Sequence, residues 1–205
     1  AQFYLWEYAV AIACGVMGVN AFDQPNVQDN KDRTKAKIAN YLKTQTLDDP
    51  PVIWEADGVR VYGMRFEGLE SCSTVSDVIN KFIDLSKEED YVAINAYVPR
   101  SDELLSQLTS LREQILNKTN RATTLGFGPR FLHSTGQLHK GGPNNGLFLQ
   151  ITQEDQEDVE IPGKSYGFSV LARAQAQGDL EALLVRDRRA IRLHLPADHS
   201  LSFDL

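Results

Sequence analysis

A glutamine and a lysine with the capacity to bind an anion lie in a short polar stretch near the beginning of the chain. Residues 21–31 read AFDQPNVQDNK and follow the apolar run YAVAIACGVMGV. This stretch carries more hydrogen-bonding side chains than a turn needs, including Gln24 and Lys31. With a helix predicted to begin near Asp29, Lys31 would lie in its first turn, where free backbone N–H groups attract oxyanions. A lysine there opposes the helix dipole, so a negatively charged ligand would explain it better than local stability.

Turn chemistry alone is the competing interpretation of AFDQPNVQDNK. Asn, Asp and Pro gather in loops because their side chains and backbone angles suit turns, and most such loops bind nothing. From the residue types alone, this simpler interpretation is preferred for the stretch. Asp23 is predicted to be structural, whereas the roles of Asn26 and Gln28 remain open.

A second polar stretch, FLHSTGQLHKGGPNN over residues 131–145, follows a predicted strand. Ser134 and Thr135 could present hydroxyl and backbone N–H groups to a phosphate, and Arg130 or Lys140 could supply positive charge. Ligands of α/β sheets commonly bind beyond the carboxyl ends of strands, which is where this stretch is expected to lie. A GxxxxGK[ST] phosphate loop is absent, so a binding role is predicted here and a catalytic one is not.

Several other chemistries are disfavoured by spacing. His133 and His139 have no third ligand at a recognisable spacing, so no metal site is predicted. The GxG of LGFGPRF is followed by Pro129 where a dinucleotide-binding helix would have to open. No GxSxG or Cys–His nucleophile arrangement is present. We therefore expect no metal and no organic cofactor.

Composition narrows the class of protein. The 205 residues carry a net charge of −7, which argues against a nucleic-acid or anionic-membrane binder because both need a cationic face. The most apolar segment, residues 9–19, is too short to cross a bilayer. Cys14 and Cys72 show no pairing motif, as is typical of a reducing cytoplasm. We expect a cytoplasmic protein without a membrane or nucleic-acid partner.

Hydrophobic periodicity predicts an α/β fold in which an N-terminal helical arm precedes a layered domain with a mostly parallel sheet. Helices are predicted over residues 3–19 and 31–45, and TLDDPP then breaks the second helix. We therefore divide the chain into residues 1–48 and 49–205. The second unit is predicted to begin with a hairpin around Asp57-Gly58. Helices then alternate with the strands YVAINAYVP, RATTLGFG, GLFLQIT and RAIRLHL, and a pair of helices is separated by a restart at Gly178.

The residues GVNAFDQPNVQDNK resemble the C-terminal signature of the glucose-6-phosphate isomerases, in which an apolar helix is followed by Phe-Asp-Gln, a turn, Val and Lys at this spacing. Trp6, Glu7 and Tyr8 in the preceding helix are also similar to that family. The resemblance is specific over residues 3–45. It departs from the family's usual Gly-Val-Glu at residues 26–28, which read NVQ here, so the glutamate of that triplet is missing.

This resemblance implies that Lys31 is catalytic and assists ring opening at the ring oxygen or C1 oxygen of the sugar, while Gln24 binds the substrate. It also implies interconversion of glucose 6-phosphate and fructose 6-phosphate by a homo-oligomer that needs no cofactor. The family's proton-transferring glutamate lies upstream of these residues. Because AQFYLWEYAV already stands inside a helical pattern, we interpret the chain as a piece of a longer polypeptide that is inactive alone.

The stretch GFGPRFLHSTGQLHKGGPNNGLFLQIT is similar to the C-terminal extension of bifunctional transaldolase/glucose-6-phosphate isomerase polypeptides. The resemblance makes residues 49–205 an accessory α/β domain with a sugar-isomerase-like sheet. Arg130, Ser134, Thr135 and Lys140 are its predicted sugar-phosphate ligands. The alternative is a non-catalytic module for sugar-phosphate binding or oligomerisation.

Overall fold

The computed structural model describes residues 1–23, 25–197 and 199–205. Its helices are α1 (Gln2–Met17), α2 (Pro25–Thr44), α3 (Val75–Ile83), α4 (Asp102–Thr119), α5 (Gly136–Gly141) and α6 (Phe168–Leu184). Its strands are β1 (Trp54–Ala56), β2 (Val59–Gly63), β3 (Tyr91–Tyr97), β4 (Ala122–Phe127), β5 (Gly146–Gln153) and β6 (Arg189–Leu195). The predicted α/β class, with a helical N-terminal region and a mostly parallel sheet, is confirmed.

The six strands form one sheet in the order β1-β2-β6-β5-β3-β4. Strands β4, β3, β5 and β6 are parallel to one another, whereas β2 pairs antiparallel with both β6 and β1. The predicted hairpin is confirmed: Asp57 and Gly58, between β1 and β2, both have positive φ angles, of 49° and 77°. Two positive φ angles in a two-residue loop match the twist of the flanking strands.

The crossovers of the parallel strands diverge between β3 and β5. From β3 the chain passes through α4 to β4, and from β5 it passes through α6 to β6 on the opposite side of the sheet order. Helices α3 and α4 cover one sheet face, where an apolar core includes Ile94, Leu149 and Ile191. Helix α6 covers the other face, around Tyr62 and Phe148. Such a divergence leaves a crevice at the carboxyl ends of the strands, which is where open α/β sheets bind ligands.

The sheet face beneath α6 is unusually polar. In β3, β5 and β6, the residues that alternate with those of the α3–α4 core belong to this face. Five of them are polar and at most 4% exposed: Asn95, Gln150, Thr152, Arg192 and His194. Buried polar groups need partners, because an unmade hydrogen bond in the interior costs about 1–3 kcal/mol. Gln150 bonds to Asp179 on α6, and Arg192 bonds to Asp49 in the segment that joins α2 to β1. His194 bonds to Thr152 and to Glu154 at the end of β5.

Helix α2 begins at Pro25, earlier than the predicted start near Asp29. Proline fits the first helical position because its fixed φ suits a helix and its missing N–H would be unpaired there anyway. Most of the stretch AFDQPNVQDNK is therefore helical, and Lys31 lies in the second turn of α2 instead of the first. The prediction that Lys31 lies in the first turn of this helix was wrong.

Helix α6 runs unbroken through Gly178, where we predicted a restart between two helices. A glycine stands at this position because α2 packs so close to α6 that a side chain would crowd it. A Cβ placed on Gly178 would lie 3.3 Å from Thr34 Oγ1 and 3.4 Å from Arg33 Cβ. Glu181 on α6 also pairs with two cations of α2, with its Oε1 2.6 Å from Arg33 Nη1 and its Oε2 3.3 Å from Lys37 Nζ. Helix α2 thus packs on the outer side of α6, and the boundary near residue 48 stays a prediction.

Helix α1 has no buried residue. Its apolar side chains point to all sides, and Phe3, Tyr4 and Trp6 are 87%, 71% and 68% exposed. The helix ends at Gly18, whose φ of 70° is the left-handed conformation common after a helix C-terminus. A helix that is apolar around its circumference is typical of one surrounded by protein.

The packing of α4 against the sheet can be tested by replacing two of its leucines, one buried and one exposed. Leu111→Ala should lower the free energy of unfolding by about 2–5 kcal/mol, because Leu111 is fully buried between α4 and the sheet. Leu116→Ala on the same helix, where the side chain is 42% exposed, should change it by less than about 1 kcal/mol. Urea titrations followed by circular dichroism measure both, and equal losses would contradict the packing of α4.

Candidate functional site

Two of the stretches that the sequence marks as ligand-binding meet in one pocket of about 250 Å³, which we call the α2–α5 pocket. Its lining on α2 is Asn26, Val27, Asn30, Lys31, Thr34, Lys35 and Ile38; the remainder is Leu132, His133, Gly136, Lys140, Leu171 and Gln175. Helix α2 supplies one wall, the segment 132–140 another, and α6 the third. Lys31 and Lys140, which are far apart in the sequence, therefore border the same space.

Lys31 stands at the rim of this pocket with its side chain exposed. Lys35, one helical turn further along α2, is also exposed and lies at the same rim. Residues four apart on a helix lie on the same face, so the two ammonium groups share one side of α2. The rim is therefore cationic.

Lys140 lies at the inner side of the pocket and is only 3% exposed. Its Nζ donates a 2.5 Å hydrogen bond to Asp179 Oδ1 on α6. The other carboxylate oxygen of Asp179 accepts a 3.2 Å hydrogen bond from Gln150 Nε2 on β5. The positive charge of Lys140 is thus already neutralised inside the protein, and its role as a sugar-phosphate ligand stays a prediction.

Arg130, Ser134 and Thr135, which were also predicted as ligands, do not line the pocket. Arg130 and Ser134 are exposed, and Ser134 Oγ donates a 3.2 Å hydrogen bond to the carbonyl oxygen of Phe131. Thr135 is half-buried at the N-terminus of α5. These residues lie in a 3-10 turn over Arg130–His133 and at the start of α5, so the stretch is more helical than a loop. Gln24 lies outside the described residues.

His139 is enclosed by aromatic rings. It is 3% exposed, and its ring centroid is 5.0 Å from that of Phe148 and 5.9 Å from that of Phe131. Burial, together with the neighbouring charge of Lys140, lowers the pKa of His139 to about 4. A neutral histidine packed among rings has a structural role here.

A larger cavity of about 750 Å³ opens where the crossovers diverge, and we call it the carboxyl-edge crevice. Its walls include Tyr97 at the end of β3, Gly128 after β4, Thr152–Glu154 at the end of β5 and His194 on β6. The location follows the general placement of ligand sites in open α/β sheets. We did not single it out from the sequence, because it requires knowledge of which strands are neighbours.

Close polar contacts connect three side chains that line the crevice, those of Thr152, His194 and Glu154. His194 Nε2 lies 2.8 Å from Glu154 Oε1, and His194 Nδ1 lies 2.9 Å from Thr152 Oγ1. Burial lowers the pKa of His194, against the opposing effect of the Glu154 carboxylate. Burial would raise the pKa of Glu154, but the hydrogen bond from His194 and the charges of Arg173 and Arg60 outweigh it and lower this pKa. The pair is therefore a neutral imidazole beside a carboxylate.

Asp49 anchors the segment between α2 and β1 to the same region. Its Oδ2 lies 2.7 Å from Arg173 Nη2, its Oδ1 lies 2.6 Å from Gln177 Nε2, and Oδ1 also accepts a hydrogen bond from Arg192. Arg192 is 1% exposed and stacks its guanidinium 4.4 Å above the ring of Tyr62. Burial would raise the pKa of Asp49, but the charge of Arg192 and the three hydrogen bonds lower it to about 2.

Within residues 1–23, 25–197 and 199–205, no group of three or more His, Cys, Asp or Glu side chains is arranged to hold a metal ion. No helix in that part of the chain is both long and apolar enough to cross a membrane.

Comparisons with known proteins leave the family open. No protein-family model and no curated protein matches the chain. A search of solved structures finds, among others, the hypothetical protein TT0462 from Thermus thermophilus, at 22% identity and a TM-score of 0.44. The match covers 62% of this chain and 33% of that protein, so the chain spans about a third of its length. At this level of similarity the neighbour indicates neither a family nor an activity.

The ion pairs of Asp49 generate a prediction about acid stability. A carboxyl group whose pKa falls on folding stabilises the protein above its unfolded pKa, and this contribution is lost as the pH falls through the folded pKa. For Asp49 the loss should extend from about pH 4 down to about pH 2. Asp49→Asn should lack this part of the acid dependence. It should also lower the free energy of unfolding at pH 7 by about 3 kcal/mol, since Arg192 is left buried without its carboxylate.

Urea unfolding across this pH range measures both effects, with Asp48→Asn as the control. Asp48 is the exposed neighbour of Asp49, and its Oδ2 accepts a hydrogen bond from Asn40 Nδ2 only at the surface. The control should therefore behave like the unmodified protein. Identical pH profiles for the two variants would contradict the described role of Asp49.

Proposed function

We propose that this chain is the C-terminal part of a glucose-6-phosphate isomerase of the transaldolase-fused type. The observation that carries the proposal is the resemblance of GVNAFDQPNVQDNK to that family's signature, on a sequence where an apolar helix precedes the lysine-bearing helix. The parent enzyme would interconvert glucose 6-phosphate and fructose 6-phosphate. It would be a cytoplasmic homo-oligomer.

The chemistry requires ring opening, followed by transfer of a proton between C1 and C2 through an enediolate. The ammonium of Lys31 would donate a hydrogen bond to the ring oxygen or the C1 oxygen and stabilise the negative charge that develops there. Gln24 would position the sugar. The proton is moved by a base in another part of the longer polypeptide. Neither metal nor organic cofactor is needed, because the carbonyl of the substrate acidifies the proton that moves.

The exposed apolar surface of α1 supports the proposal that this chain belongs to a longer polypeptide. Removing apolar surface from water is worth about 25 cal/mol per Å², so a helix with exposed Phe3, Tyr4, Leu5 and Trp6 gains stability when another protein body covers it. Because the apolar residues of α1 face all sides, the covering body would have to surround the helix. The rest of an isomerase domain would do so and would bring its base towards Lys31.

The accessible charge of Lys31 also supports the proposal. The side chain is exposed at the rim of the α2–α5 pocket, and no Asp or Glu is among the described residues that line this pocket. An ammonium group without a carboxylate in its pocket is available to a negatively charged substrate or intermediate.

The alternative proposal is a non-catalytic module that binds a sugar phosphate or mediates oligomerisation. The observation that favours binding is that the α2–α5 pocket is formed by this chain alone. The observation that favours oligomerisation is the exposed surface of α1. A module of either kind would have no isomerase activity in any longer form.

A coupled assay that converts fructose 6-phosphate to glucose 6-phosphate separates the two proposals. The 205-residue chain should be inactive, and a turnover of about 1–1,000 per second, the ordinary enzyme range, would refute this expectation. The natural longer polypeptide should be active. In that longer form, Lys31→Ala should lower kcat by about 10²–10³-fold, because a donor to a developing oxyanion is lost.

Lys43→Ala in the longer form is the matched control. Lys43 is exposed in the last turn of the same helix and does not line the α2–α5 pocket. Its removal should leave kcat unchanged. An inactive longer polypeptide, or one that loses no more activity with Lys31→Ala than with Lys43→Ala, would remove the isomerase proposal and favour the module.

A further inference from the structure

Five charged side chains form a continuous row between α2 and α6, which we call the ion-pair ladder. On α2, Asp29 Oδ1 lies 3.0 Å from Arg33 Nε. The other oxygen, Asp29 Oδ2, lies 2.8 Å from Nη1 of Arg186, which follows the end of α6. On α6, Glu181 Oε1 lies 2.6 Å from Arg33 Nη1, and Oε2 lies 3.3 Å from Lys37 Nζ. Cations and carboxylates therefore alternate along the row, and each carboxylate is shared by two cations.

The ladder occupies one flank of α2. Because an α-helix has about 3.6 residues per turn, each residue is rotated by about 100° from the one before it, and residues four apart lie on one face. The buried row of α2 is therefore rotated by about 100° from the ladder, and the two rim lysines by about another 100°. The buried row is Asn26, Asn30 and Thr34, and the rim lysines are Lys31 and Lys35. The ladder and the rim lysines thus stand on opposite flanks of the buried row.

The charges on the two flanks are compensated differently. The five ladder side chains are between 22% and 46% exposed, so water and salt screen their charges only in part. On the rim flank, Lys35 Nζ is 3.6 Å from Asp32 Oδ1, in a pair whose side chains are 74% and 61% exposed. Surface pairs of this kind contribute little. The ladder charges therefore join α2 to α6, whereas the rim charges are held by no strong contact in the described part of the chain.

The rotation of α2 about its own axis decides where Lys31 points. Side-chain ends lie about 5–6 Å from the axis of a helix, so a rotation of about 20° moves them by about 2 Å. Catalytic groups are sensitive at this scale, because a misplacement of about 1 Å can cost about a hundredfold in rate. The exposed side chain of Lys31 needs a contact elsewhere on α2 to fix this angle. The ladder supplies it, because both of its carboxylates bridge the interface with α6.

We propose that Asp29 and Glu181 are positioning residues for Lys31. Asp29 ties the second turn of α2 to Arg186, and Glu181 ties the following turns through Arg33. Lys31 lies between these two attachment points in the sequence. Neither carboxylate lines the α2–α5 pocket, so both act through the orientation of α2 and not on a ligand. The inference rests on the proposed function, because it assigns these residues to the reaction of Lys31.

Methyl NMR of the 205-residue chain tests the positioning without any turnover. The double variant Asp29→Asn/Glu181→Gln should shift the methyl signals that line the pocket, because α2 rotates relative to the opposite wall. These signals belong to Val27, Ile38, Leu132 and Leu171. In the unmodified chain, sodium chloride at about 1 M, where the screening length is about 3 Å, should move the same signals in the same direction. Pocket signals that stay in place in the double variant would overturn the proposal.

Asp32→Asn is the matched control for the loss of a carboxylate from α2. Asp32 Oδ1 lies 2.9 Å from Gln28 Nε2 and 3.6 Å from Lys35 Nζ, at the exposed surface of the helix. The pocket signals should be unchanged in this variant. The signal of Ile94, in the core beneath α3 and α4, should be unchanged in the control and in the double variant. Shifts that spread to Ile94 would mean a general loss of packing and would overturn the positioning role.

Kinetics of the longer polypeptide test whether the positioning serves Lys31. Glu181→Gln should lower kcat by about tenfold to a hundredfold and leave KM within about twofold, because Lys31 is displaced from charge that develops only in the transition state. In a Lys31→Ala background, the same change should lower kcat no further, because the group that it positions is gone. A merely structural role would lower kcat equally in both backgrounds, and that result would overturn the proposal.

Asp90→Asn is the control for the loss of an ion pair elsewhere. Asp90 Oδ2 lies 2.7 Å from Arg189 Nη1, in a partly buried pair at the start of β3 and β6. This variant should lower the temperature of unfolding and leave kcat unchanged. Asp29→Glu keeps the charge, so it should retain more of kcat than Asp29→Asn does. Equal losses of kcat in Asp90→Asn and Glu181→Gln would contradict the positioning role.

The outcomes separate this proposal from the isomerase itself. An inactive longer polypeptide would remove the isomerase, and the NMR shifts alone would then decide whether the ladder orients the helix that carries Lys31. An active polypeptide whose kcat depends on Lys31 but not on Glu181 would retain the isomerase and remove the positioning role.

Discussion

The ion pair between Lys140 and Asp179 is the contact on which the polar side of the molecule depends. It joins α5 to α6, and Gln150 extends it to β5, so one carboxylate holds three elements together. Two charges that leave water are costly unless each is paired and hydrogen-bonded, and losing one partner would leave the other charge buried. Because α5 is fixed against α6 in this way, the pocket between α5 and α2 has a defined wall.

The two faces of the sheet differ in polarity. Beneath α3 and α4 the face is apolar and supplies the main core. Beneath α6 the apolar cluster around Tyr62 and Phe148 is smaller, and charged groups lie on either side of it. Asp49 pairs with Arg192 and with Arg173, which lines the crevice, and Asp179 pairs with Lys140 at the α2–α5 pocket. Arg173 and His194 line the carboxyl-edge crevice and Lys140 lines the α2–α5 pocket, so both cavities border the polar face.

Local periodicity predicted most of the elements. The alternation in VIWEADGVRVYG and the apolar strand YVAINAYVP needed only short-range information, and the three strands β1, β2 and β3 are present. The unbroken α6 was missed, because Gly178 reads locally as a helix end and its reason is the approach of Thr34 from α2. The early start of α2 was missed because Pro25-Asn26 reads equally well as a turn. Tertiary packing decided both cases.

The candidate sites were predictable only in part. Lys31 and Lys140 were singled out by residue type, but their common pocket depends on α2 lying across α6, which no local pattern specifies. The ion-pair ladder of Asp29 and Glu181 was not predicted, because it depends on the same packing of α2 on α6. His194 was assigned only to the strand RAIRLHL, and Glu154 was not singled out. They meet because β5 and β6 are neighbours, and strand order is a long-range property.

Helix α1 places a limit on how this chain can be reused in evolution. A helix with a single apolar stripe can change partners by altering one surface, but α1 presents apolar side chains in every direction. Under the proposal that another protein body surrounds α1, that body would have to offer an enclosing channel of matching length, and the two surfaces would have to change together.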